Sequence, residues 1–456
     1  DSISELKGII DLDLKGNQLD NIVGIANFKN IEYRNEKDTY PFKQFLIFST
    51  LKEGIRNIRV DSEDIVKGEL IGDFKFGELI PLTQNALGSI YSNYNPFKVE
   101  PHQFLKFDFV IYNQIIDVFF PKVSVAPNTI IKGNIKADKN QLKLKISSPQ
   151  IIAYGNVIDS LLLDTDNKRN LYDTSLRAKS IETPHYKLSK LLLFNKTIND
   201  TLFFKSAFAG GDLEEEKFNL DFYYTINKEK KSVVGIEKST FNFKGNIWDL
   251  NPKNNSENKL VFDLKKDEYV FSPFKLKSKE QEINFKGVLR DSTYKELEAD
   301  FKQVYLKSFL PEIDSLKLRG KLDGSINISQ KEGVYSPKGN LTVKNFHINN
   351  YKQGDLFLNV EGESSYEKYD VVMSLERERV KSISALGSLN FSNTRPIVDL
   401  SVFLEEFELN AFGPLGEDVL SKVRGTATGD FKLTGFLGNP EMNGSMVLKN
   451  AGLQFP

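Results

Sequence analysis

Short stretches of the chain alternate apolar with polar residues, which is the pattern of a β-strand with one apolar face. In the least interrupted stretch, every second residue is apolar: Phe218, Leu220, Phe222, Tyr224 and Ile226. The polar segment 227–231 follows it and is typical of a turn. Because such stretches recur along most of the sequence, we predict an all-β protein with few, short helices and an antiparallel sheet that is apolar on one face.

Similar alternation marks the second half of the chain, where we predict that further apolar residues belong to the same kind of face. They are Leu341, Val343, Leu356, Leu358, Val360, Leu400, Val402, Leu404, Met446 and Leu448.

Over residues 78–92 the spacing of the apolar residues changes from that of a strand to that of a helix. Leu79, Leu82, Ala86 and Ile90 recur at intervals of three and four, and Pro81 stands in the first turn, where its missing N–H costs least. We therefore predict one amphipathic helix, which acts as a local cap on the apolar sheet face rather than as a mobile gate.

A glycine-rich pattern repeats near the end of the chain. Gly425 and Gly429 have the same spacing as Gly320 and Gly324, and the apolar residues that precede each pair also align, roughly 100 residues apart. The alignment includes Pro311 and Pro414 and predicts two repeat units, 297–399 and 400–456.

Within the pattern, Gly339 and Gly444 are each followed by alternating apolar residues and then by Asn345 and Asn450. Gly24 and Asn30 give a third instance. We interpret each as a strand that a glycine turn opens and a polar turn closes. Because stacked repeats share one core, we expect residues 1–456 to form one continuous, elongated body that is a fragment of a longer chain.

Composition narrows the classes of function. The net charge is -1, with 61 basic and 62 acidic residues interspersed, so a nucleic-acid partner is not expected. There are 35 Phe and 17 Tyr but a single Trp, Trp248. An apolar lining of this kind suits aliphatic ligands or a dry core better than it suits sugars.

Residues that could carry catalysis are not grouped in the sequence. His102, His185 and His347 are far apart, and none has a partner at metal-ligand spacing. No phosphate-binding loop, dinucleotide fingerprint or nucleophile elbow is present. We therefore expect no enzyme activity, no metal and no cofactor.

The C-terminal motif points to a family. It consists of Gly425, Gly429, Gly435, Asn439-Pro440, Gly444 and Asn450, after Phe407-Glu408-Leu409 and Pro414-Leu415. In this motif the chain resembles the TamB family of the AsmA-like superfamily of bridge-like lipid transfer proteins, in a Bacteroidota-like version. The resemblance is specific over the last unit, whereas the preceding copy departs from the motif with Ser336-Pro337 in place of Asn-Pro.

That resemblance implies a fold and a function. The sheet would curl into a U-shaped trough, or β-taco, whose apolar interior is lined by the alternating residues given above and binds phospholipid acyl chains. The protein would act in the periplasm of a diderm bacterium as a conduit for phospholipid between inner and outer membrane. An anchor outside this sequence would attach it to the inner membrane, and a BamA- or TamA-like outer-membrane barrel would be its partner.

Two other functions remain open from the sequence. The strands could hold client chains, so that the protein assists translocation and assembly of outer-membrane proteins together with a BamA-like barrel. Alternatively, the apolar faces could pack on each other in a structural β-solenoid that transports nothing.

Overall fold

The structure is a computed structural model that describes residues 5–454 except 35–38, 64, 91–93, 113–121, 185, 212, 309–316, 363, 365, 379, 393 and 412–420. These residues form two compact units, Asp1–Lys230 and Lys231–Pro456. Most of them lie in β-strands, and the described part of the chain contains one α-helix.

The described residues of the first unit form fourteen strands. They are β1 (Glu5–Lys15), β2 (Val23–Arg34), β3 (Thr39–Lys52), β4 (Ile55–Asp61), β5 (Val66–Asp73), β6 (Phe104–Ile111), β7 (Val123–Val125), β8 (Thr129–Lys136), β9 (Gln141–Ala153), β10 (Asn156–Asp166), β11 (Thr174–Glu182), β12 (Lys187–Ile198), β13 (Thr201–Gly210) and β14 (Glu216–Ile226). Each strand pairs antiparallel with the next, except that β6 pairs with β8 and the short β7 pairs with β9. Short 3₁₀ helices occupy Leu19–Asn21 and Phe76–Glu78.

The second unit contains fifteen strands among its described residues. They are β15 (Ser232–Ile236), β16 (Ser239–Phe243), β17 (Asn246–Leu250), β18 (Lys259–Asp263), β19 (Glu268–Ser278), β20 (Gln281–Arg290), β21 (Tyr294–Tyr305), β22 (Leu318–Lys331), β23 (Val334–Ile348), β24 (Tyr351–Gly362), β25 (Lys368–Arg377), β26 (Val380–Asn390), β27 (Ile397–Glu408), β28 (Ser421–Phe436) and β29 (Asn439–Gln454). A 3₁₀ turn occupies Leu306–Ser308.

Pairing in the second unit is consecutive and antiparallel from β19 to β29. Before that the sheet forks, because β18 pairs with the first half of β19 and β17 with the end of its second half. Pro273, which has no N–H to donate, lies between the two halves. The predicted all-β fold with a long antiparallel sheet and few, short helices is confirmed.

Helix α1 spans Leu79–Gly88, inside the predicted range 78–92. Its last residue is Gly88, where the Tyr94 ring occupies the space that a Cβ would need. The backbone N–H of Ser89 still donates to Asn85 O, as in the helix. Residues 91 and 92 of the prediction lie outside the described residues. The helix covers one end of the sheet face, where Leu82 packs with Leu105 and Leu142.

The two predicted repeat units share a detailed backbone feature. Gln303 in β21 and Glu406 in β27 both adopt a positive φ, +51° and +45°, and both interrupt the register with the following strand. Their N–H groups donate to Asp323 Oδ1 at 2.9 Å and to Thr428 Oγ1 at 3.0 Å, which are also equivalent positions. The aligned Pro311 and Pro414 lie outside the described residues.

The interpretation of Gly24, Gly339 and Gly444 as turns that open strands is wrong, because all three lie inside strands. The other repeated glycines lie inside strands as well. At Gly324, with φ +129°, an added Cβ would come within 2.1 Å of Asn340 O in the neighbouring strand. At Gly429 the corresponding distance to Ser445 O is 2.2 Å. The glycines thus permit close approach of two backbones within the sheet. From the sequence alone, a glycine with this role looks the same as a glycine in a turn.

The repeated asparagines are also inside strands rather than in closing turns. Asn30, Asn345 and Asn450 have φ values of +48°, +50° and +53°. A single left-handed residue in a strand makes a β-bulge, and Asn tolerates this conformation better than most residues do.

Candidate functional site

One face of the sheet in the second unit gathers the apolar residues that the sequence pattern selected. Leu341 lies directly opposite Leu358 in the next strand, and Leu358 lies opposite Met373. Because directly opposed residues of antiparallel strands share a face, this register extends one apolar face from strand to strand.

The same face continues to the last strand. Leu400 is opposite Leu433, and Leu404 is opposite Gly429, which is opposite Met446. All ten selected residues of this unit therefore lie on one face: Leu341, Val343, Leu356, Leu358, Val360, Leu400, Val402, Leu404, Met446 and Leu448.

The selected residues of the first unit also share a face. Leu220, Phe222 and Tyr224 in β14 are opposite Ser206, Phe204 and Leu202 in β13. Phe218 stacks on Phe208 with ring centroids 4.7 Å apart, and Phe222 stacks on Phe204 at 4.8 Å. The apolar row of β14 is thus a two-strand aromatic ladder, and Ile226 lies at its end.

Further members of the second unit's face escaped the sequence prediction. They belong mainly to β25, β26 and β28: Val371, Met373, Leu375, Ile383, Ala385, Phe431 and Leu433. The alternation in β25 and β26 is obscured because Val372 and Leu386, which lie on the opposite face, are apolar as well. Only the register resolves which of these neighbours share a face.

Exposure varies along the second unit's face. One end is closed, because Val343, Phe346, Leu375 and Phe407 form a buried cluster with Ala411. The predicted groove residue Val343 therefore lies in a packed core. Farther along the strands, Leu341, Leu358 and Leu400 are half-buried.

The last strand is the most exposed part of this face, with exposed fractions of 44% for Met446 and 56% for Leu448.

Ion pairs occupy the opposite face. In the second unit Lys344 pairs with Asp323 at 3.1 Å and Lys432 with Asp399 at 3.0 Å. In the first unit Lys132 pairs with Asp108 at 2.9 Å. Exposed pairs of this kind contribute about 0–1 kcal/mol each, so they keep the face hydrated and fix register more than they stabilise the fold.

The first unit differs in that polar side chains interrupt its apolar face. Thr165 and Thr174 lie opposite each other with hydroxyl oxygens 3.2 Å apart, and Asn195, opposite Thr174, donates to Phe203 O at 3.3 Å. These groups are largely buried and bonded to one another or to backbone, which offsets the cost of desolvating them.

The same region holds a buried charge. The carboxylate of Asp173, 5% exposed, accepts from Lys196 Nζ at 2.8 Å and from the backbone N–H of Thr197 at 2.7 Å. Lys196 Nζ also donates to Arg169 O at 2.7 Å. This network ties the start of β11 to the end of β12.

Among the residues that the structure describes, there is no group of three or more His, Asp or Glu side chains that could hold a metal ion. No helix there has the length and apolar character to cross a membrane.

Comparison with known proteins identifies no relative. No protein-family model matches the chain, and neither a curated protein nor a solved structure matches it.

Proposed function

We propose that the protein conducts phospholipid between the inner and outer membranes of a diderm bacterium, across the periplasm. The acyl chains move along the apolar sheet faces while the head groups stay in water. The observation that carries this proposal is the single apolar face of the second unit, which continues from β22 to β29 and includes all ten residues selected from the sequence.

The energetic reason is the hydration of acyl chains. Moving a lipid through water exposes its acyl chains, and each exposed methylene group costs about 0.8 kcal/mol of free energy. The free-energy barrier for two whole chains is therefore prohibitive. A half-buried row of Leu, Met and Phe replaces that water without a chemical step. We propose that the sheet curves around the chains as a trough, which explains why Leu358 and Leu400 are neither fully buried nor fully exposed.

The membrane partners follow from the resemblance to the TamB family. They would be an inner-membrane anchor outside this sequence and a BamA- or TamA-like outer-membrane barrel.

The test is co-isolation of lipid with matched charge substitutions. The full chain is purified from a diderm host in a mild detergent, and bound phospholipid per protein is quantified by mass spectrometry. Leu358→Glu and Leu400→Glu place a charge on the apolar face and are expected to lower bound lipid several-fold. Phe357→Glu and Phe403→Glu, on the ion-paired face, are expected to leave it unchanged.

Two outcomes would count against the conduit. One is wild-type protein that retains no phospholipid, and the other is an equal loss of lipid from both pairs of variants. Thermal unfolding of all four variants shows whether each remains folded.

A second candidate is assembly of outer-membrane proteins, in which backbone groups of the antiparallel sheet would hold an extended client strand. In a depletion experiment, loss of barrel proteins before any change in outer-membrane lipid would support this function over the conduit.

The closed clusters bear on the third possibility, a structural solenoid. The core beneath α1 and the cluster around Val343 and Leu375 consist of closely packed, buried side chains. A structural solenoid would have such packing along its whole length. The half-buried residues of the second unit that lie outside its cluster, such as Leu358 and Leu400, distinguish the conduit from a solenoid, and lipid content tests the difference.

A further inference from the structure

A polar cavity of about 710 Å³ lies in the first unit at the end of its aromatic ladder. Its wall is made where separate segments end: the C-terminal end of α1, the turn between β8 and β9, the turn between β12 and β13, and the end of β14. Amide, hydroxyl and charged groups dominate the wall, with contributions from Asn140, Asp200, Asn227 and Lys230.

The cavity is continuous with the proposed lipid path. Ile226, the last residue of β14, lines it. Ile226 has the same parity as Tyr224 and Phe222, so the alternation of the strand places all three on the apolar face. An acyl chain lying along the aromatic ladder would therefore bring the polar end of its lipid to this cavity.

Two opposite charges line the cavity. Within the described part of the chain, neither Asp200 nor Lys230 takes part in an ion pair, in contrast to Asp173 and Lys196 nearby. The wall of the cavity is held firmly, because Asn85 accepts hydrogen bonds from Tyr94 Oη at 3.0 Å and from Phe97 N at 2.8 Å. One carboxylate and one ammonium on the wall match a ligand that carries one charge of each sign.

We propose that this cavity binds the head group of a zwitterionic phospholipid. Asp200 would accept hydrogen bonds from the head group's primary ammonium, and Lys230 would donate to its phosphate. The inference rests on the proposed lipid function and adds a head-group preference to it. An anionic lipid would satisfy Lys230 but leave the Asp200 carboxylate facing a negative ligand.

The experiment measures binding of four soluble probes to the full chain by calorimetry. They are dihexanoyl phosphatidylethanolamine, dihexanoyl phosphatidic acid, dihexanoylglycerol and free phosphoethanolamine. Lys230→Ala is expected to weaken the binding of both phospholipids about fivefold. Asp200→Asn is expected to weaken only the binding of phosphatidylethanolamine, by a similar factor. Binding of dihexanoylglycerol, which has no charged head group, should not change.

Matched controls come from the turn that follows β14. Lys228→Ala and Glu229→Gln change the same charges on exposed residues that do not line the cavity. They are expected to leave all four affinities unchanged, and thermal unfolding confirms that every variant is folded.

Three results would overturn the inference. The first is an affinity for phosphatidylethanolamine that does not change in Lys230→Ala and Asp200→Asn, and the second is an equal change in the control variants. The third is phosphoethanolamine binding as tightly as the lipid. If lipid still co-purifies with the wild-type chain, these results reject the head-group site alone. Failure of every acyl-bearing probe to bind, together with no co-purified lipid, rejects the conduit itself.

Discussion

Leucines on the apolar faces of the two units have different surroundings. In the first unit, Leu142 of β9 lies beneath α1, is 2% exposed and packs with Leu82. In the second unit, Leu358 of β24 also lies on the apolar face of its strand but is half-buried, away from the closed cluster. The alternation that makes an apolar face is the same in both, and what covers the face decides whether it becomes core or binding surface.

Polar content separates the two faces further. Thr165, Thr174 and Asn195 interrupt the first unit's face and satisfy their hydrogen bonds internally. The second unit's face, from β24 to β28, is aliphatic and aromatic except for glycines such as Gly387 and Gly429. We conclude that the second unit offers the more uniform apolar surface.

The largest expected effect tests the difference between Leu142 and Leu358. Leu142→Ala should lower the free energy of unfolding by about 2–5 kcal/mol, since it leaves a cavity in a closed core. Leu358→Ala should cost roughly 1 kcal/mol or less, because a half-exposed site loses less burial and solvent fills the space. Urea unfolding followed by circular dichroism measures both, and equal losses would contradict the distinction.

A smaller effect is expected from the buried polar network of the first unit. Asp173→Ala removes the partner of Lys196 and of the Thr197 N–H, and should cost about 1–3 kcal/mol of unfolding free energy. The control Asp108→Ala breaks an exposed pair with Lys132 and should cost less than about 1 kcal/mol. If both cost the same, the network does not stabilise this region as described.

These contrasts show how far the sequence alone could be used. Alternation of Phe218 to Ile226 predicts both the strand and its apolar face, and the helical period predicts α1. The face in β25 and β26 could not be assigned, because Val372 and Leu386 are apolar on the other side. Gly429 resembles a turn residue in sequence, and only the 2.2 Å approach to Ser445 O shows why glycine is required within a strand.

The cavity in the first unit was also beyond sequence reasoning. Asn85 lies in α1, and Asn140, Asp200 and Lys230 lie on three separate turns. Only the fold brings the helix and these turns to one place. No local spacing in the sequence indicates this proximity.

The smallest expected effect concerns pH and again belongs to the first unit. Hydrogen bonds from Gln150 Nε2 and Ser180 Oγ lower the pKa of Asp159 from its usual 3.8. An acid whose pKa is lower in the folded state than in the unfolded state stabilises the fold at pH values above its unfolded-state pKa. This stabilisation is lost as the pH falls through the folded-state pKa. Stability should therefore decline below about pH 4, and Asp159→Asn should reduce that decline slightly.

Nuclear magnetic resonance titration of the Asp159 carboxyl carbon provides the direct measurement. A pKa at or above 3.8 would show that the two hydrogen bonds do not favour the carboxylate.

The most direct test of the conduit is site-specific photocrosslinking at two neighbouring residues on opposite faces of β24. Benzoylphenylalanine replaces Leu358 on the apolar face or Phe357 on the ion-paired face of the full chain in living diderm cells, and phospholipid adducts are quantified by mass spectrometry. The conduit predicts several-fold more acyl-chain adducts from position 358 than from position 357. Equal adducts at both positions, or none at position 358, would contradict the claim that the apolar face holds lipid.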